Sequence, residues 1–389
     1  MKIGIEEIGF AIPNMYLSLD DLAAARGVDP NKFKIGIGQD EQAVPPLSQD
    51  PVTLGVNAAL EWYKPEMSDQ IGLLIFGTES GIDESKATAM YAKRLLGVHN
   101  WCRCFEAKEA CYGATAGLMT AYDFIKNHPD QKAIIFGADI ARYGLDTPGE
   151  VTQGAGGIAM LVSANPKIME IEPASTPFSD DVMDFWRPQY FDTAIVNGHY
   201  SIEQYLRFFK SAWTRHKETT GLKIEDYVAF CYHLPFMKQG LKALRLILPE
   251  ASEAQQAILQ KHFDESAAYS RRVGNIYTAS IYLSLMSLLD NADDLKAGDR
   301  IGMFSYGSGA ASEFFSGKLL PGFEEYLRPE AHKEIFAQRR RLSVAQYEEQ
   351  FKQTLPHDAS DFDIDVSDDP APVVLVGLKD KQRIYERRK

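Results

Sequence analysis

The chain has 389 residues, of which 45% are hydrophobic and 24% charged, and its formal net charge is -13. This composition is typical of a globular protein with a large core, and the acidic balance disfavours a nucleic acid or an anionic membrane as partner. The four cysteines, Cys102, Cys104, Cys111 and Cys231, form no CxxC pair and no disulfide framework, which favours a reducing cytoplasm. The N-terminal MKIGIEEIGFAIP does not resemble a signal peptide, and no apolar run is long enough to span a membrane.

Apolar runs typical of buried strands alternate with helical patterns along the chain. The predicted strands cover 71–78, 132–139, 157–164, 227–233 and 300–309. Helices are predicted between them, including 201–221, which ends at a glycine. The segment 275–292, NIYTASIYLSLMSLLDNA, is apolar on nearly every face, so we expect a buried helix there. This alternation predicts an α/β architecture with mostly parallel sheets.

The two parts of the chain show a weak internal repeat in the order of their predicted elements. After the strand 71–78 come a helix and a helix start rich in small residues, ACYGATAG. After the strand that ends at His233 come a helix and a second such start, VGNIYTAS. This pattern indicates two related halves that meet across a site. Near the C-terminus, the acidic segment 357–372 is predicted to be a loop, and 373–389 alternates like a closing pair of strands.

Cys111 lies in EACYGATAG, and a helix is predicted to begin at this cysteine, over CYGATAGLMTAYDFI. The unpaired N–H groups and the positive dipole end of a helix start are expected to lower the pKa of a thiol, and the thiolate is the nucleophilic form. The small neighbours would allow a substrate or another helix to approach closely. A buried structural cysteine is the alternative, and the pattern alone leaves both open.

Two further residues follow predicted strands. His233 ends the run YVAFCYH, and Glu79 comes directly after IGLLIFGT. Ligands of α/β proteins gather at the carboxyl ends of strands, where a buried carboxylate with a raised pKa suits acid–base catalysis. Packed or exposed roles are the alternatives, and Glu109, Asp83 and Glu84 compete with Glu79.

Positive charge follows His233 on one predicted helical face. Lys238, Lys242 and Arg245 are spaced i, i+4 and i+7, which suits a phosphorylated ligand as well as a solvated surface. The glycine-rich QGAGG and YGSGAAS match no nucleotide-binding fingerprint, although their backbone N–H groups could serve an oxyanion. No cluster of His, Cys and Asp has the spacing of metal ligands, so no metal is expected.

The combination of motifs resembles the hydroxymethylglutaryl-CoA (HMG-CoA) synthase family, in its compact bacterial form. The resemblance runs along nearly the whole chain through KFKIGIGQ, GTESGIDESKA, EACYGATAG, GADIARYG, DFWRP, YSIEQYLRFF, HLPFMKQGLK, GNIYTAS and YGSGAASEFF. Glu109 stands where animal members carry Asn, outside the catalytic trio. The resemblance implies a thiolase-like αβαβα sandwich of two pseudo-repeated halves, here 1–165 with the nucleophile and 166–389 with the histidine and the lysines.

The resemblance also implies a reaction and its residues. Acetyl-CoA and acetoacetyl-CoA would condense with water to HMG-CoA and CoA through an acetyl-cysteine, on the mevalonate route to isoprenoids. The catalytic residues would be Glu79 as acid/base, Cys111 as nucleophile and His233 as the group that orients acetoacetyl-CoA. The substrate-binding residues would be Asp29, Thr152, Ser201, Lys238, Lys242, Asn275 and Ser308. CoA thioesters would be substrates rather than cofactors, and the family implies a homodimer.

Three alternatives remain at this point. A ketoacyl synthase III-type enzyme shares the thiolase fold and uses Cys, His and Asn, and Glu79 argues against it. A Cys-His-Glu hydrolase is disfavoured by the lysine stripe and the buried helix. A CoA-binding protein without activity is disfavoured by the intact Cys111, Glu79 and His233.

Overall fold

The computed structural model describes residues 1–191 and 193–388. In these ranges the strands are β1 (Gly4–Ala11), β2 (Met15–Ser18), β3 (Glu41–Ala43), β4 (Ile71–Gly77), β5 (Arg103–Ala107), β6 (Lys132–Ala141), β7 (Gly154–Ser163), β8 (Met169–Ser179), β9 (Phe185–Trp186), β10 (Ile195–Val196), β11 (Ala229–Tyr232), β12 (Arg300–Gly307), β13 (Ala311–Leu319), β14 (Arg340–Leu342), β15 (Phe362–Asp363), β16 (Val373–Lys379) and β17 (Gln382–Arg387). The α-helices are α1 (Leu19–Ala25), α2 (Pro51–Ala59), α3 (Thr88–Leu96), α4 (Gly113–Asn127), α5 (Gly198–Thr220), α6 (Met237–Ile247), α7 (Glu253–Ala267), α8 (Ser270–Val273), α9 (Ser280–Asn291), α10 (Pro329–Ala337) and α11 (Val344–Lys352).

The central sheet joins two half-sheets. Its order is β11-β12-β13-β8-β1-β7-β6-β4-β5. The halves meet where β1 pairs with β8 through only two residue pairs, Gly4 with Glu170 and Ile5 with Met169. β4 is parallel to β5 and β6, and β11 is parallel to β12, whereas the remaining neighbours are antiparallel. The predicted strands are confirmed, but the expectation of mostly parallel pairing is wrong, because β1, β7, β8 and β13 are joined antiparallel.

Alternate residues of the strands pack into different layers, as the twofold period of a strand requires. Ile75 faces a cluster that also contains residues of α4, α9 and the second half-sheet. Its neighbour Phe76 faces α2 and α3. Phe304 on β12 faces a third cluster with α5 and α6. The layers are therefore helix, sheet, helix, sheet, helix, which confirms the predicted five-layer sandwich, and α9 lies in its middle with residues 280–289 all buried.

The C-terminal strands pack on the first half of the chain. The Asn57 side chain on α2 donates to the Val373 carbonyl at 2.9 Å and accepts from the Val373 N–H at 2.8 Å. Val373, Leu375 and Tyr385 belong to the cluster that includes α2 and α3. The division into 1–165 and 166–389 falls in the connection between β7 and β8, and it stays a prediction. Among the described residues, no helix combines the length and the hydropathy that crossing a bilayer requires.

A buried histidine ties three helical segments together. His332 on α10 donates from Nδ1 to Asp290 Oδ2 at 2.6 Å, and its Nε2 lies 3.1 Å from Glu61 Oε2. Burial lowers the pKa of His332, but the hydrogen bonds and charges of Asp290 and Glu61 outweigh it and raise the pKa to about 9. The imidazolium is therefore the form that holds α10 against α9 and the residue after α2.

This cluster predicts how stability depends on pH. Because the pKa is raised from 6.5 to about 9 on folding, the contribution is complete below pH 6.5 and is lost as the pH rises towards 9. We expect the free energy of unfolding to fall by on the order of 3 kcal/mol across that range. His332→Gln should remove this dependence, whereas His128→Gln, at an exposed histidine, should retain it. Urea unfolding at pH 6 to 9 measures this dependence. The prediction would be contradicted if the free energy of unfolding changed equally with pH in the wild type and in both variants.

Candidate active site

The segment before α4 places Cys111 at a tight turn. The preceding Ala110 has φ 42°, in the left-handed region that costs a residue with a side chain some strain. α4 begins at Gly113, two residues later than the predicted start at the cysteine. The end of β4 abuts this helix start so closely that a Cβ at Gly77 would lie 2.3 Å from the Ala114 nitrogen. Glycine is therefore required at position 77 by backbone packing against the start of α4, beside the sulfur.

Cys111 and Glu79 are in direct contact. Cys111 Sγ donates to Glu79 Oε1 at 3.4 Å, and the cysteine is only 6% exposed. Burial, followed by the negative charges of Glu79 and Asp139, raises the pKa of Cys111. The expectation that the helix start lowers this pKa is therefore wrong in direction, because desolvation and two carboxylates outweigh the helix end. A neutral thiol therefore faces a carboxyl group at this point of the fold.

Asp139 holds the turn that carries Glu79. It lies in β6, is fully buried, and its Oδ1 accepts from Thr78 Oγ1 at 2.8 Å, Glu79 N at 2.9 Å and Ser80 N at 3.0 Å. Its Oδ2 accepts from Thr278 N at 3.2 Å. Thr278 Oγ1 in turn accepts from Ala114 N at 2.6 Å, at the start of α4. One carboxylate thus links the turn that carries Glu79, the start of α4 and the segment before α9.

The environment of Glu79 suits this residue to acid–base catalysis. Burial and the charge of Asp139 raise the pKa of Glu79, and the opposing charge of Arg187 does not cancel this. Arg187, from the DFWRP motif, donates a hydrogen bond to the Glu79 carbonyl oxygen. Of the four acidic candidates, Glu79 is the one that contacts Cys111. A carboxyl group with a raised pKa can take and return protons near neutral pH.

Aromatic side chains close the site around the sulfur. Cys111 and Tyr277 belong to one buried cluster, against which Tyr143 and Phe185 pack. Asn275 supports this wall: its Nδ2 donates to Tyr143 Oη at 3.1 Å, and its Oδ1 accepts from Tyr277 N at 2.8 Å. Neither tyrosine stands out in the sequence by charge or by spacing.

Thr152 reaches the same wall through the backbone. Its carbonyl oxygen accepts from the Asn275 N–H, with an N–O distance of 3.0 Å. Its Oγ1 donates to the Gly149 carbonyl at 2.9 Å. Thr152 therefore lies beside Asn275, and the fold brings together two predicted substrate contacts that are far apart in the sequence.

Asp184 organises the opposite wall. Its Oδ2 accepts from Tyr306 Oη at 2.7 Å and from Ser201 Oγ at 3.1 Å, and its Oδ1 accepts from Gly309 N at 3.0 Å. The predicted contacts Ser201 and Ser308 are thereby tied to one buried carboxylate, Ser201 directly and Ser308 through its loop. Asp184 lies in DFWRP, and its partners come from α5 and the β12–β13 turn.

That turn packs against the nucleophile. A Cβ at Gly307 would lie 2.4 Å from the Glu109 carbonyl oxygen, just before Cys111. Glycine is therefore required where the two halves touch. The contact places Ser308, from the second half, next to the turn that carries Cys111 in the first half.

His233 follows β11 on the second half-sheet. Its N–H donates to the Phe304 carbonyl at 2.8 Å, and its carbonyl accepts from Tyr205 Oη at 2.9 Å. The side chain is buried, and Nδ1 has no hydrogen-bond partner in the described ranges. Burial lowers the pKa of His233 to about 3, so the imidazole is neutral at physiological pH. A buried Nδ1 without a partner is left for a substrate or a water molecule to satisfy.

Two of the three predicted CoA-binding residues lie on α6. Lys238 and Lys242 lie on α6, a few residues after His233, and both are half-buried. Within the described part of the chain, no carboxylate lies within 4.0 Å of either ammonium. The segment after Asp29 reaches the same helix, since a Cβ at Gly38 would lie 3.0 Å from Met237 Cβ. Asp29 itself is exposed and accepts from Asn31 N at 2.9 Å.

One group of side chains has the spacing of metal ligands in space, though not in sequence. Over residues 1–191 and 193–388, the only such group is His262, Glu265 and Asp294. The ammonium of Lys261 lies 2.8 Å from Asp294 Oδ1 and already supplies positive charge there. These residues come from α7 and the segment before β12, and none of them belongs to the site around Cys111.

Five layers, with a cysteine at the start of a central helix and a histidine from the other half-sheet, define a thiolase-like enzyme. Family models for the hydroxymethylglutaryl-coenzyme A synthase N terminal and C terminal match residues 1–167 and 245–367. Hydroxymethylglutaryl-CoA synthase from Enterococcus faecalis is 48% identical over 358 residues, which covers 92% of this chain and 94% of that protein.

Two solved structures extend the comparison to three dimensions. A crystal structure of HMG-CoA synthase complexed with CoA has a TM-score of 0.97 and 41% identity, and 100% of each chain is covered. MvaS in complex with 3-hydroxy-3-methylglutaryl coenzyme A has a TM-score of 0.90 and 35% identity, over 100% of this chain and 99% of that chain. The chain belongs to the HMG-CoA synthase family.

The position of Asp139 predicts how Cys111 titrates. Because the Asp139 charge raises the pKa of Cys111, Asp139→Asn should move the pH at which the thiol becomes reactive to a lower value. The amide oxygen can still accept the three hydrogen bonds made at Oδ1. The amide nitrogen cannot accept from Thr278 N–H, so the fold should also be destabilised by about 1–3 kcal/mol. Alkylation by iodoacetamide across pH, followed by peptide mapping, measures the first effect. Asp83→Asn, at an exposed carboxylate, is the control, and an identical profile for Asp139→Asn would refute the assignment.

Proposed function

We propose that this protein condenses acetyl-CoA with acetoacetyl-CoA and water to HMG-CoA and CoA, through an acetyl group carried on Cys111. The observation that carries the proposal is the contact between the buried Cys111 thiol and Glu79. The chain is an enzyme of the HMG-CoA synthase family, and a relative with 35% identity is known in complex with HMG-CoA. The assignment of Cys111, Glu79 and His233 as its catalytic residues is part of the proposal.

Acetyl transfer begins with the loss of the thiol proton. Because burial raises the pKa of Cys111, the thiolate forms only as its proton moves to a base, and Glu79 is in contact with the sulfur. The thiolate attacks the carbonyl carbon of acetyl-CoA, and the carbon–sulfur bond to CoA breaks. The proton then leaves with the CoA thiolate, which returns Glu79 to its carboxylate form.

Condensation uses the same carboxylate a second time. Glu79 removes a proton from the acetyl methyl group, and the resulting enolate attacks the ketone carbon of acetoacetyl-CoA. The neutral imidazole of His233 orients that substrate by hydrogen bonding, and the new alkoxide takes a proton from Glu79. Water then cleaves the thioester to Cys111, which gives HMG-CoA and restores the thiol. The low pKa of His233 assigns it a hydrogen-bonding role rather than that of a cation.

The substrate contacts are proposed from the same geometry. Thr152 and Asn275 on one wall, and Ser201 and Ser308 on the other, border the acyl group near Cys111. Asp29, Lys238 and Lys242 border the CoA portion beside α6, where the lysines meet the phosphates. The CoA thioesters are substrates, and we propose that no resident cofactor or metal takes part.

Membership of the HMG-CoA synthase family decides against the ketoacyl synthase III-type enzyme and against the hydrolase. We propose that the protein serves the mevalonate route and that it works in the cytoplasm. We also propose a homodimer: β5 is an edge of the central sheet, and Trp101 beside it is 92% exposed. Sedimentation equilibrium tests this, and a species with the mass of one chain would contradict it.

The acetyl-enzyme gives the most direct test of the proposed chemistry. Brief exposure to acetyl-CoA should add one acetyl group, and peptide mapping should place it on Cys111. Glu79→Gln should still acquire the acetyl group, more slowly, but should lose condensation by about 10²–10⁴-fold because the methyl proton has no acceptor. Intact-mass spectrometry and a coupled assay for acetoacetyl-CoA loss measure the two steps. An adduct on Cys102, Cys104 or Cys231 alone would overturn the role of Cys111.

The lysines of α6 predict a salt-dependent affinity for CoA thioesters. Lys238→Ala with Lys242→Ala should raise the acetoacetyl-CoA requirement by the equivalent of about 1–3 kcal/mol. Added salt should reduce the difference, because exposed charges are screened within about 8 Å at physiological ionic strength. Lys126→Ala, an exposed lysine near the end of α4, is the matched control. Kinetics at two salt concentrations measure the effect. Unchanged kinetics for the double variant would indicate that these lysines form a solvated surface and do not bind CoA.

A further inference from the structure

A cavity of about 490 Å³ lies apart from the site described above. Several parts of the chain form its walls: the end of β6, the loop that follows Glu79, the segment after β3, α3, α11 with the segment after it, and the hairpin of β16 and β17. Ile140 and Arg142 come from the first of these and Ile82 from the second. Neither Cys111 nor His233 lines it. We call it the Arg142 cleft.

Arg142 is the unusual residue of this cleft. Its guanidinium packs over the Phe351 ring at 4.1 Å and donates one hydrogen bond to the Phe351 carbonyl. Among the described residues, no carboxylate lies within 4.0 Å of it. Burial lowers the pKa of Arg142, with little compensation from neighbours. A guanidinium has five N–H donors in a planar fork, so most of them are available to an anion.

The rest of the lining contains apolar, neutral polar and charged side chains. Leu355, Leu375 and Leu378 provide apolar surface. Lys381 and Arg383 add positive charge, although Arg383 is already paired with Asp50 at 2.7 Å. The acid in the lining is Asp83, which is exposed and accepts from Ser85 N and Lys86 N within its own loop. An apolar wall beside an unpaired guanidinium favours a ligand that has both an apolar part and a negative charge.

We propose that the Arg142 cleft binds a small amphiphilic anion, a phosphate monoester with a short apolar chain. The phosphate would accept two hydrogen bonds from the Arg142 fork, and Lys381 would lie on its outer side. The apolar chain would bury against Leu375 and Leu378. This site goes beyond the proposed condensation, since it shares none of the residues assigned to acetyl transfer or to CoA.

An occupant of the cleft would touch the loop that carries the base. Ile82 and Asp83 follow Glu79 within the same loop. The cleft residue Ile140 donates its N–H to Ser80 Oγ at 3.3 Å, next to Glu79. Binding in the cleft should therefore slow amide exchange in residues 80–87 and in 353–359.

Calorimetry with n-hexyl phosphate tests the site. The wild-type chain is titrated with CoA present at saturation, so that the lysines of α6 are occupied. We expect one equivalent to bind, hexanol not to bind, and Arg142→Gln to raise Kd by about tenfold or more, as for one charge-assisted pair. Arg340→Gln is the matched control, because this substitution removes the same charge from a neighbouring cleft. The Kd of this variant for hexyl phosphate should stay within about twofold of the wild-type value.

A second variant keeps the test decisive if Arg142→Gln does not fold, since Arg142 also holds α11. Lys381→Glu changes an exposed residue of the β16–β17 turn and should weaken binding without loss of folding. Slower hydrogen exchange in 80–87 and 353–359 on addition of hexyl phosphate would support the location. Binding that CoA abolishes, or that neither Arg142→Gln nor Lys381→Glu weakens, would overturn the proposal, as would an absence of binding to the wild type.

Discussion

The buried carboxylate of Asp139 is the group on which the active site depends. It lies near the end of β6 and accepts the N–H groups of Glu79 and Ser80 on one side and that of Thr278 on the other. Thr278 accepts the N–H of Ala114 at the helix start. Because backbone N–H groups have few rotational choices, these bonds set the position of Glu79 relative to Cys111. The Asp139 side chain thereby controls the distance between the Glu79 carboxyl group and the Cys111 sulfur.

The same burial that orders the site also controls its charges. Desolvation raises the pKa of Cys111 and of Glu79 and lowers that of His233, so each of these groups is displaced towards its neutral form. A neutral thiol is protected from oxidation and needs a base to become a nucleophile. The contact between Cys111 and Glu79 places a carboxyl group where it can act as that base. In the proposed mechanism the sulfur becomes reactive when its proton moves to Glu79, and the same carboxylate later removes the methyl proton.

Much of the architecture could be predicted because its signals are local. Apolar runs of strand length predicted β4, β6, β7, β11 and β12, and the all-round apolar pattern predicted the burial of α9. The direction of strand pairing could not be predicted, since it depends on which strands become neighbours. For the site, strand ends pointed to Glu79 and His233, and the small residues pointed to Cys111. Asp139 and Asp184 were not assigned, because their partners come from distant segments.

The sequence by itself determined which residue types stand at the helix start and the strand ends, because apolar period, glycine and charge are properties of neighbouring residues in the chain. The family resemblance extended this to the reaction and to the residues proposed for it. Only the tertiary structure decided the protonation states of the site residues and the hydrogen bonds that hold them in place. The pKa of Cys111 is raised, against the local expectation for a helix start, by burial and by carboxylates at Glu79 and Asp139. Desolvation and charge act through space, so their balance is settled only when both half-sheets have closed around the sulfur.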